Sequence, residues 1–361
     1  MLIYIILFIL FLIPAIQQAL VNKKNILFFV GILLSAILAG VRFRVGNDWP
    51  EYVEYYNTLP ELDSLKNLSQ YRYESLYTIL NSLFKTLGFG YQFFFFVFSL
   101  ITTTVLLYAI CKFNKRYLYL SFLIYFSYHF LPYEMNMIRQ GIAASWIFLG
   151  FYYSSVGDLR KYLLCILVAF LFQSIGILFL PFYWLNRIKW NRKWMLISLG
   201  ACFFVYLSLD FLSFIDYAPL FQNQINYYAT DYYSGQETSS YGITMGLVFN
   251  FVVAVFAWQC ALKKEYENSM ITRVAVNALL YSFIIGIALN NMAIFVERIV
   301  GILNMTIIII LPRLIDYFNK RHRFIFLCGI ILYCLLFFRA TVYTKGGYKD
   351  QYQYIPYTYK L

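Results

Sequence analysis

The sequence predicts an all-α polytopic membrane protein, read as a single integral membrane domain over residues 1–361. Three observations carry that class. Hydrophobic residues make up 61% of the chain and charged ones only 13%, against roughly 45–50% and about 25% in soluble domains. Mean hydropathy is +0.64. The apolar residues fall in runs of roughly 20, the length that crosses a bilayer core, and short clusters of Lys and Arg separate the runs. A folded particle of this size has too little interior to hide so much apolar surface, so lipid must solvate the rest. A soluble enzyme, a disordered chain and a secreted disulfide scaffold are excluded.

Residues 2–20 form the first expected span. The run is longer than the apolar core of a secretory signal, no basic residue precedes it, and Lys23–Lys24 follow it, so no cleavable leader is expected. Further spans are expected at 26–41, 91–111, 117–131, 138–156, 194–214, 242–262, 271–290, 299–315 and 324–340. The run 160–189 is different. Counted as one crossing, it puts Arg187, Lys189, Arg192 and Lys193 outside and the acidic stretch 215–241 inside, which breaks the positive-inside rule twice. Counted as a broken or re-entrant pair of short helices meeting at Gln173-Ser174-Ile175-Gly176, the conflict disappears. Each half is about 15 residues, or roughly 22 Å, short of a ~30 Å core. A break at that depth needs protein or a wet cavity to satisfy the backbone, which places Gln173 near a cavity. A single kinked helix with a hydrogen-bonded core Gln is the other reading.

The paired model gives about 12 hydrophobic helices with both termini outside. External segments are then 42–90, 132–139, 215–241, 290–298 and the tail 341–361. Eighteen of the 29 Lys and Arg fall inside with only four of the 17 acids, Asp158, Glu265, Glu267 and Asp316. The formal net charge of +12 is therefore read as cytoplasmic loop charge, and no nucleic-acid partner is expected. The six cysteines lie in or beside apolar runs without CxxC spacing and read as small core residues. The cations that ask for an explanation are the external ones: Arg42, Arg44, Arg72, Arg139, Arg298 and Arg339. Arg139 and Arg298 sit where a loop enters an apolar helix, and a charge buried there costs a few kcal/mol unless something compensates it.

The first external loop opens Arg42-Phe-Arg44-Val-Gly46-Asn-Asp48-Trp-Pro-Glu51-Tyr52. Gly46 permits a bend that would bring Asp48 back over the two arginines. One reading is an anion site: Arg forks grip diphosphate oxygens, and a neighbouring carboxylate takes a proton from a sugar hydroxyl. The other is an Arg–Asp salt bridge capping the helix end. Residues 74–87 carry apolar positions 76, 79, 80, 83, 84 and 87, the spacing of an amphipathic surface helix. Glu74 starts it, where a carboxylate is stabilising on its own account.

The second loop runs through Pro132-Tyr133-Glu134 into a helix carrying Arg139 and Gln140. The third holds six tyrosines, Tyr228 and Tyr232 among them. Their flat rings suit sugar faces, though Tyr also populates every membrane interface. The fourth turn ends Glu297-Arg298, neighbours that point to different sides of a helix and leave Arg298 available to a ligand. His129 lies near the outer end of its helix, either a packing residue or a base. GxGxxG, Walker and HExxH patterns are missing, and so is any clustered His/Cys/Asp set. No cofactor and no metal are expected. Chemistry outside the membrane must then use a substrate that arrives already activated, such as a lipid diphosphate.

The ordered set Arg42-x-Arg44-x-Gly46-x-Asp48-x-x-x-Tyr52, Glu74-Ser-Leu-Tyr-Thr-Ile-Leu-Asn with Gly88 and Tyr91-Gln92-Phe-Phe, Arg139-Gln140-Gly-Ile-Ala143, Glu297-Arg298 and Tyr354-Ile-Pro356-Tyr357 resembles the EpsG family. These are bacterial polysaccharide membrane proteins related to Wzy-type O-antigen and capsule polymerases. The family often carries His-x-Ser-Ala at the mid-chain break, where this chain has Gln173-Ser174-Ile-Gly176. Either the base lies elsewhere here, with Asp48 the candidate, or that His has a binding role that Gln can fill.

The resemblance and the residues together point to polymerisation of undecaprenyl-diphosphate-linked repeat units at the outer face of a bacterial inner membrane. Arg42, Arg44, Arg139 and Arg298 would hold the diphosphate and stabilise its growing charge. Asp48, Glu74 or His129 would take the acceptor proton. Gln173, Gln140, Tyr52, Tyr228 and Tyr232 would line the cavity or bind sugar. Expected partners are the lipid-linked donor and acceptor, membrane lipid, a chain-length regulator and a flippase. The competing functions are an O-antigen ligase-like transferase and a flippase for lipid-linked oligosaccharide. A flippase calls for charge along a central path and repeat symmetry, and neither is visible.

Overall fold

The computed structural model describes residues 1–21, 24–208, 242–290, 293–344 and 354–360. Helix dominates them, and the one β-type pairing is the isolated bridge Arg42–Tyr359. The helices gather in two compact units, Met1–Trp184 with Ile308–Leu361, and Leu185–Ile307.

The first unit starts with α1 (Leu2–Val21) and α2 (Leu27–Val41). In α1 the stripe Tyr4, Leu7, Phe8, Phe11, Ala15 is buried while Leu2, Ile5, Ile6, Ile9 and Ile13 stay exposed. Apolar residues all round, with only one stripe covered by protein, are what a lipid-facing helix requires. Then come α3 (Trp49–Thr58), α4 (Ser75–Thr86), α5 (Tyr91–Asn114) and α6 (Leu118–Tyr125). The backbone leaves helical geometry at Asn114 (φ −154°, ψ 71°) and again at Tyr117 (φ −113°, ψ 32°). There the chain turns and α6 packs against α5. A π-turn at Phe126–Phe130 continues α6 into the short α7 (Leu131–Glu134).

The amphipathic helix expected at 74–87 is α4, and its polar side is the one the protein covers. Tyr77, Thr78, Asn81 and Ser82 are buried. Thr78 Oγ1 meets the Tyr55 hydroxyl at 2.6 Å, and Ser82 Oγ donates to Pro60 O at 2.9 Å. Leu76, Ile79, Leu80, Leu83 and Phe84 remain partly open and Leu87 is exposed.

Next are α8 (Ile138–Val156), α9 (Leu159–Phe172) and α10 (Phe182–Leu185). Helix α9 stops at Gln173, which is extended (φ −153°, ψ 117°), and a 3-10 turn covers Ser174–Phe179. The chain then doubles back along α9. The Tyr162 hydroxyl donates to Phe179 O, the Tyr183 hydroxyl to Gly157 O at 3.0 Å, and Ser154 Oγ to Tyr183 O at 3.0 Å. A methyl group on Gly176 would lie 2.7 Å from Phe170 N, so only glycine allows this close return.

The second unit holds α11 (Arg192–Ser208), α12 (Met245–Phe256), α13 (Lys263–Asn268), α14 (Met270–Ala288) and α15 (Ala293–Asn304). Helix α14 packs against α11, α12 and α15. Asn277 on α14 fastens the loop before α11, its Nδ2 donating to Asn186 O at 2.9 Å and Ile188 O at 2.7 Å. The chain re-enters the first unit at α16 (Ile307–Arg313) and closes with α17 (Lys320–Thr344).

Five stretches among the described residues are long and apolar enough to cross a membrane: Leu2–Val21, Tyr91–Glu134, Met270–Ala288, Val296–Tyr317 and Lys320–Tyr343. Leu27–Val41 and Met245–Ala261 are apolar but shorter. The chain is therefore a polytopic helical membrane protein, with fewer qualifying stretches than the expected count of about 12. The difference has local causes. Expected spans 91–111 and 117–131 fall within one qualifying stretch of 44 residues, which the turn at Asn114–Tyr117 divides into α5 and α6. The halves of 160–189 are too short, and 194–214 runs beyond the described residues.

Candidate functional site

The sequence-predicted residues of the first unit gather around the junction of the 42–48 loop, α4, and the first turn of α8. Gly46 makes the first connection. Its φ is +91°, and a Cβ there would lie 2.1 Å from Met135 O. The bare glycine lets this loop seat directly on the 135–136 turn, where the Asp48 N–H donates to Asn136 Oδ1 at 3.0 Å. The bend that Gly46 makes is spent on this contact.

The two loop arginines part company. Arg44 is exposed, with φ 55°. Arg42 has no exposed surface. Its Nη1 donates to Ala39 O and to Glu134 O, and its guanidinium lies 4.5 Å from the Phe95 ring centre. Among the described residues, Arg42 Nε and Nη2 have no hydrogen-bond partner. These two nitrogens form the side-on edge with which arginine takes two oxygens of an oxyanion. Burial lowers the Arg42 pKa to about 10, against the opposing pull of Tyr357, Tyr354, Tyr52 and Tyr77. The residue remains a cation at neutral pH.

The segment 354–360 closes over Arg42. Phe43 N donates to Thr358 O at 2.9 Å, Lys360 N to Val41 O at 3.1 Å and the Tyr357 hydroxyl to Leu38 O at 2.7 Å. The Tyr4 hydroxyl ties down Tyr354 O at 3.0 Å. This explains why a terminal Tyr-Ile-Pro-Tyr stretch accompanies a loop more than 300 residues away.

Arg139 and Glu74 meet in an ion pair at the start of α8. Arg139 Nη1 donates to Glu74 Oε2, and the side chains are 12% and 13% exposed. Glu74 Oε1 accepts from the Ser174 main-chain N–H at 2.8 Å, so the acid joins α4, α8 and the break after α9. The Tyr73 ring centre lies 3.8 Å from the Arg139 guanidinium carbon and that of Tyr77 lies 5.9 Å away, in cation–π range. Tyr52 is buried against Tyr73, Tyr77 and Phe95. Burial raises the Tyr73 phenol above its ordinary range, which keeps it a neutral donor.

Gln140 and Gln173 are both buried, Gln173 at the break beside Ser174. His129 is buried in the π-turn, its ring stacked between those of Tyr125 and Tyr133 at 6.0 and 5.4 Å. Arg298 belongs to the second unit, on α15, where it is half-buried and Glu297 exposed. Tyr228 and Tyr232 lie outside the described residues. Among the described residues no group of three or more His, Cys, Asp and Glu gathers as metal ligands.

Glu134 was not among the candidates. It is buried, and its Oε1 accepts from the Tyr125 hydroxyl at 2.9 Å and Thr103 Oγ1 at 3.2 Å. Its main-chain oxygen receives Arg42. The signal available in the sequence was an acid closing an apolar run, which marks a functional position by default.

Helices apolar on their outward faces, with charged groups gathered at loop–helix junctions, define a polytopic membrane protein with a polar site beside its apolar segments. The sequence model of the EpsG family matches residues 25–359, and the chain belongs to that family. Membership brings polysaccharide biosynthesis and a polymerase-type role. No curated protein and no solved structure matches the chain.

Proposed function

We propose that the protein polymerises undecaprenyl-diphosphate-linked oligosaccharide repeat units into O-antigen, capsule or exopolysaccharide. The reaction takes place at the outer face of the bacterial cytoplasmic membrane. The observation that supports this most directly is the Arg139–Glu74 pair under its tyrosine rings. It combines a cation for a diphosphate, an acid for a hydroxyl proton and flat aromatic surfaces for sugar. The donor is the growing glycan on its lipid diphosphate, and a hydroxyl of the acceptor unit attacks the anomeric carbon. As the bond to the diphosphate breaks, negative charge grows on the departing oxygen. Preset cations in a poorly solvated site stabilise it without reorganisation. Arg139 is the first candidate for that role, with Arg42 and Arg298 as further ones. Asp48, Glu74 and His129 are the candidates for the proton. The chemistry as drawn needs no metal.

Deleting the gene should collapse the surface polysaccharide from a ladder to a single repeat unit on its usual acceptor. Arg139→Ala should reproduce that collapse with protein level unchanged. Loss of the first unit as well would assign the chain to export or ligation instead, and a full ladder from Arg139→Ala would remove that arginine from the site.

A further inference from the structure

The contact made by Glu74 exceeds what a helix start or a surface ion pair requires. Glu74 precedes the first turn of α4 but makes no side-chain hydrogen bond to it, so it is not a local cap. Both carboxylate oxygens are used elsewhere, Oε2 on the Arg139 guanidinium and Oε1 on the Ser174 N–H at 2.8 Å. The donors come from two different elements, the first turn of α8 and the break after α9. The Tyr73 and Tyr77 rings lie 3.8 and 5.9 Å from the guanidinium carbon, cation–π contacts that do not depend on which anion the guanidinium also meets. The pair is 12% and 13% exposed, enough to be reached from solvent. A charged donor and a neutral one converging on two oxygens of one anion is also how proteins grip a phosphate.

We propose that the Glu74 carboxylate is an internal stand-in for substrate. It occupies an oxyanion position, formed by Arg139 and the Ser174 N–H, that the diphosphate of the lipid-linked donor takes over. The displaced carboxylate then serves as base for the acceptor hydroxyl. This deepens the polymerase reading and rests on it. The new bond joins the acceptor oxygen to the anomeric carbon, and the acceptor proton passes to Glu74. The bond from the anomeric carbon to the diphosphate oxygen breaks, and its electron pair leaves with the diphosphate against Arg139. Atoms and charge balance with no further reactant. While both of its oxygens are held by Arg139 and the Ser174 N–H, the carboxylate has none to offer the acceptor hydroxyl, so the base becomes available only when a donor is in place. Until then the acceptor is not activated.

The test is direct binding to purified full-length protein in detergent, with inorganic pyrophosphate and geranylgeranyl diphosphate as separate probes. Glu74→Gln keeps the size of the side chain and removes the competing charge. It should bind one or both probes roughly tenfold more tightly than the native protein, about what relieving one partly buried ion pair is worth, and yield no polymer in cells. A gain with both probes makes the diphosphate itself the ligand, and a gain with the prenyl probe alone makes it lipid-borne. Arg139→Gln should abolish both gains. Unchanged or weaker binding by Glu74→Gln overturns the proposal and leaves Glu74 a strut. If that variant does not fold, infrared difference spectra of native protein carrying ¹³C-carboxyl glutamate give a second reading. Addition of pyrophosphate or the prenyl probe must move one glutamate band, and no movement overturns the proposal. The glycan ladder of the gene deletion is independent of these measurements, so the polymerase reading stands or falls separately.

Discussion

At the scale of single residues, Arg42 is the most informative. It is a fully buried cation with two carbonyl partners and an unpartnered side-on edge among the described residues. Taking a charge out of water costs several kcal/mol, and replacing a buried ionic group by an apolar one of similar volume is often neutral or stabilising. A stabilising role for Arg42 therefore predicts a large loss on removal, whereas a functional role predicts little. We expect Arg42→Met to unfold within about 1 kcal/mol of the native protein while making no polymer. Thermal unfolding in detergent beside a glycan ladder decides it, and a Tm lowered by many degrees would make Arg42 structural. Arg42, Arg44, Asp48, Glu74 and Arg139 were all legible as candidates because charge is scarce in this chain. Their pairing was not. Glu74 meets Arg139 across 65 residues, while Gly46 and the Asp48 main-chain N–H meet the 135–136 turn.

At the scale of elements, the break after α9 was legible and its cause can be tested. Positive-inside bookkeeping required 160–189 to start and finish on the same side, and Gln173-Ser-Ile-Gly176 was the polar interruption at its middle. The structure breaks at Gln173, and Gly176 lets the returning chain lie against Ala169–Phe170. Gly176→Ala places a methyl 2.7 Å from Phe170 N, an overpacking that costs about 1–3 kcal/mol. We expect a Tm several degrees lower and faster hydrogen exchange over 174–179, and an unchanged Tm would contradict the close return. In α4 the periodicity gave the helix, but not that Tyr77, Thr78, Asn81 and Ser82 would be its covered side. An amphipathic pattern fixes two faces, and which one meets protein depends on whether lipid or water lies opposite.

At the scale of the whole molecule, the topology expected from loop charge has its own test. Asn191→Cys and Gln236→Cys, each in a background without the six native cysteines, should differ toward a membrane-impermeant maleimide added to intact spheroplasts. Gln236→Cys should react and Asn191→Cys should not, and the reverse would refute the paired reading of 160–189. The count of about 12 hydrophobic helices exceeds the five stretches long and apolar enough to cross among the described residues, because it included short runs such as the two halves of 160–189. The two runs inside the stretch Tyr91–Glu134 stay separate as α5 and α6, and Leu27–Val41 falls short of a full crossing.

The sequence by itself determined that this chain lives in lipid, where its helices interrupt, which family it resembles and which few charges need a reason. Those properties follow from composition, from hydrophobic run length and from the scarcity of ionisable groups, all of which are local or additive. Tertiary structure alone decided that Arg42 is sealed beneath residues 354–360, that Glu74 bridges Arg139 and Ser174, and that Glu134 is a buried acid receiving the Tyr125 hydroxyl. The physical reason is that a charge at low dielectric must take whatever partner packing brings within about 3 Å. That partner is set by helix contacts across tens to hundreds of residues, and no periodicity along the chain records them.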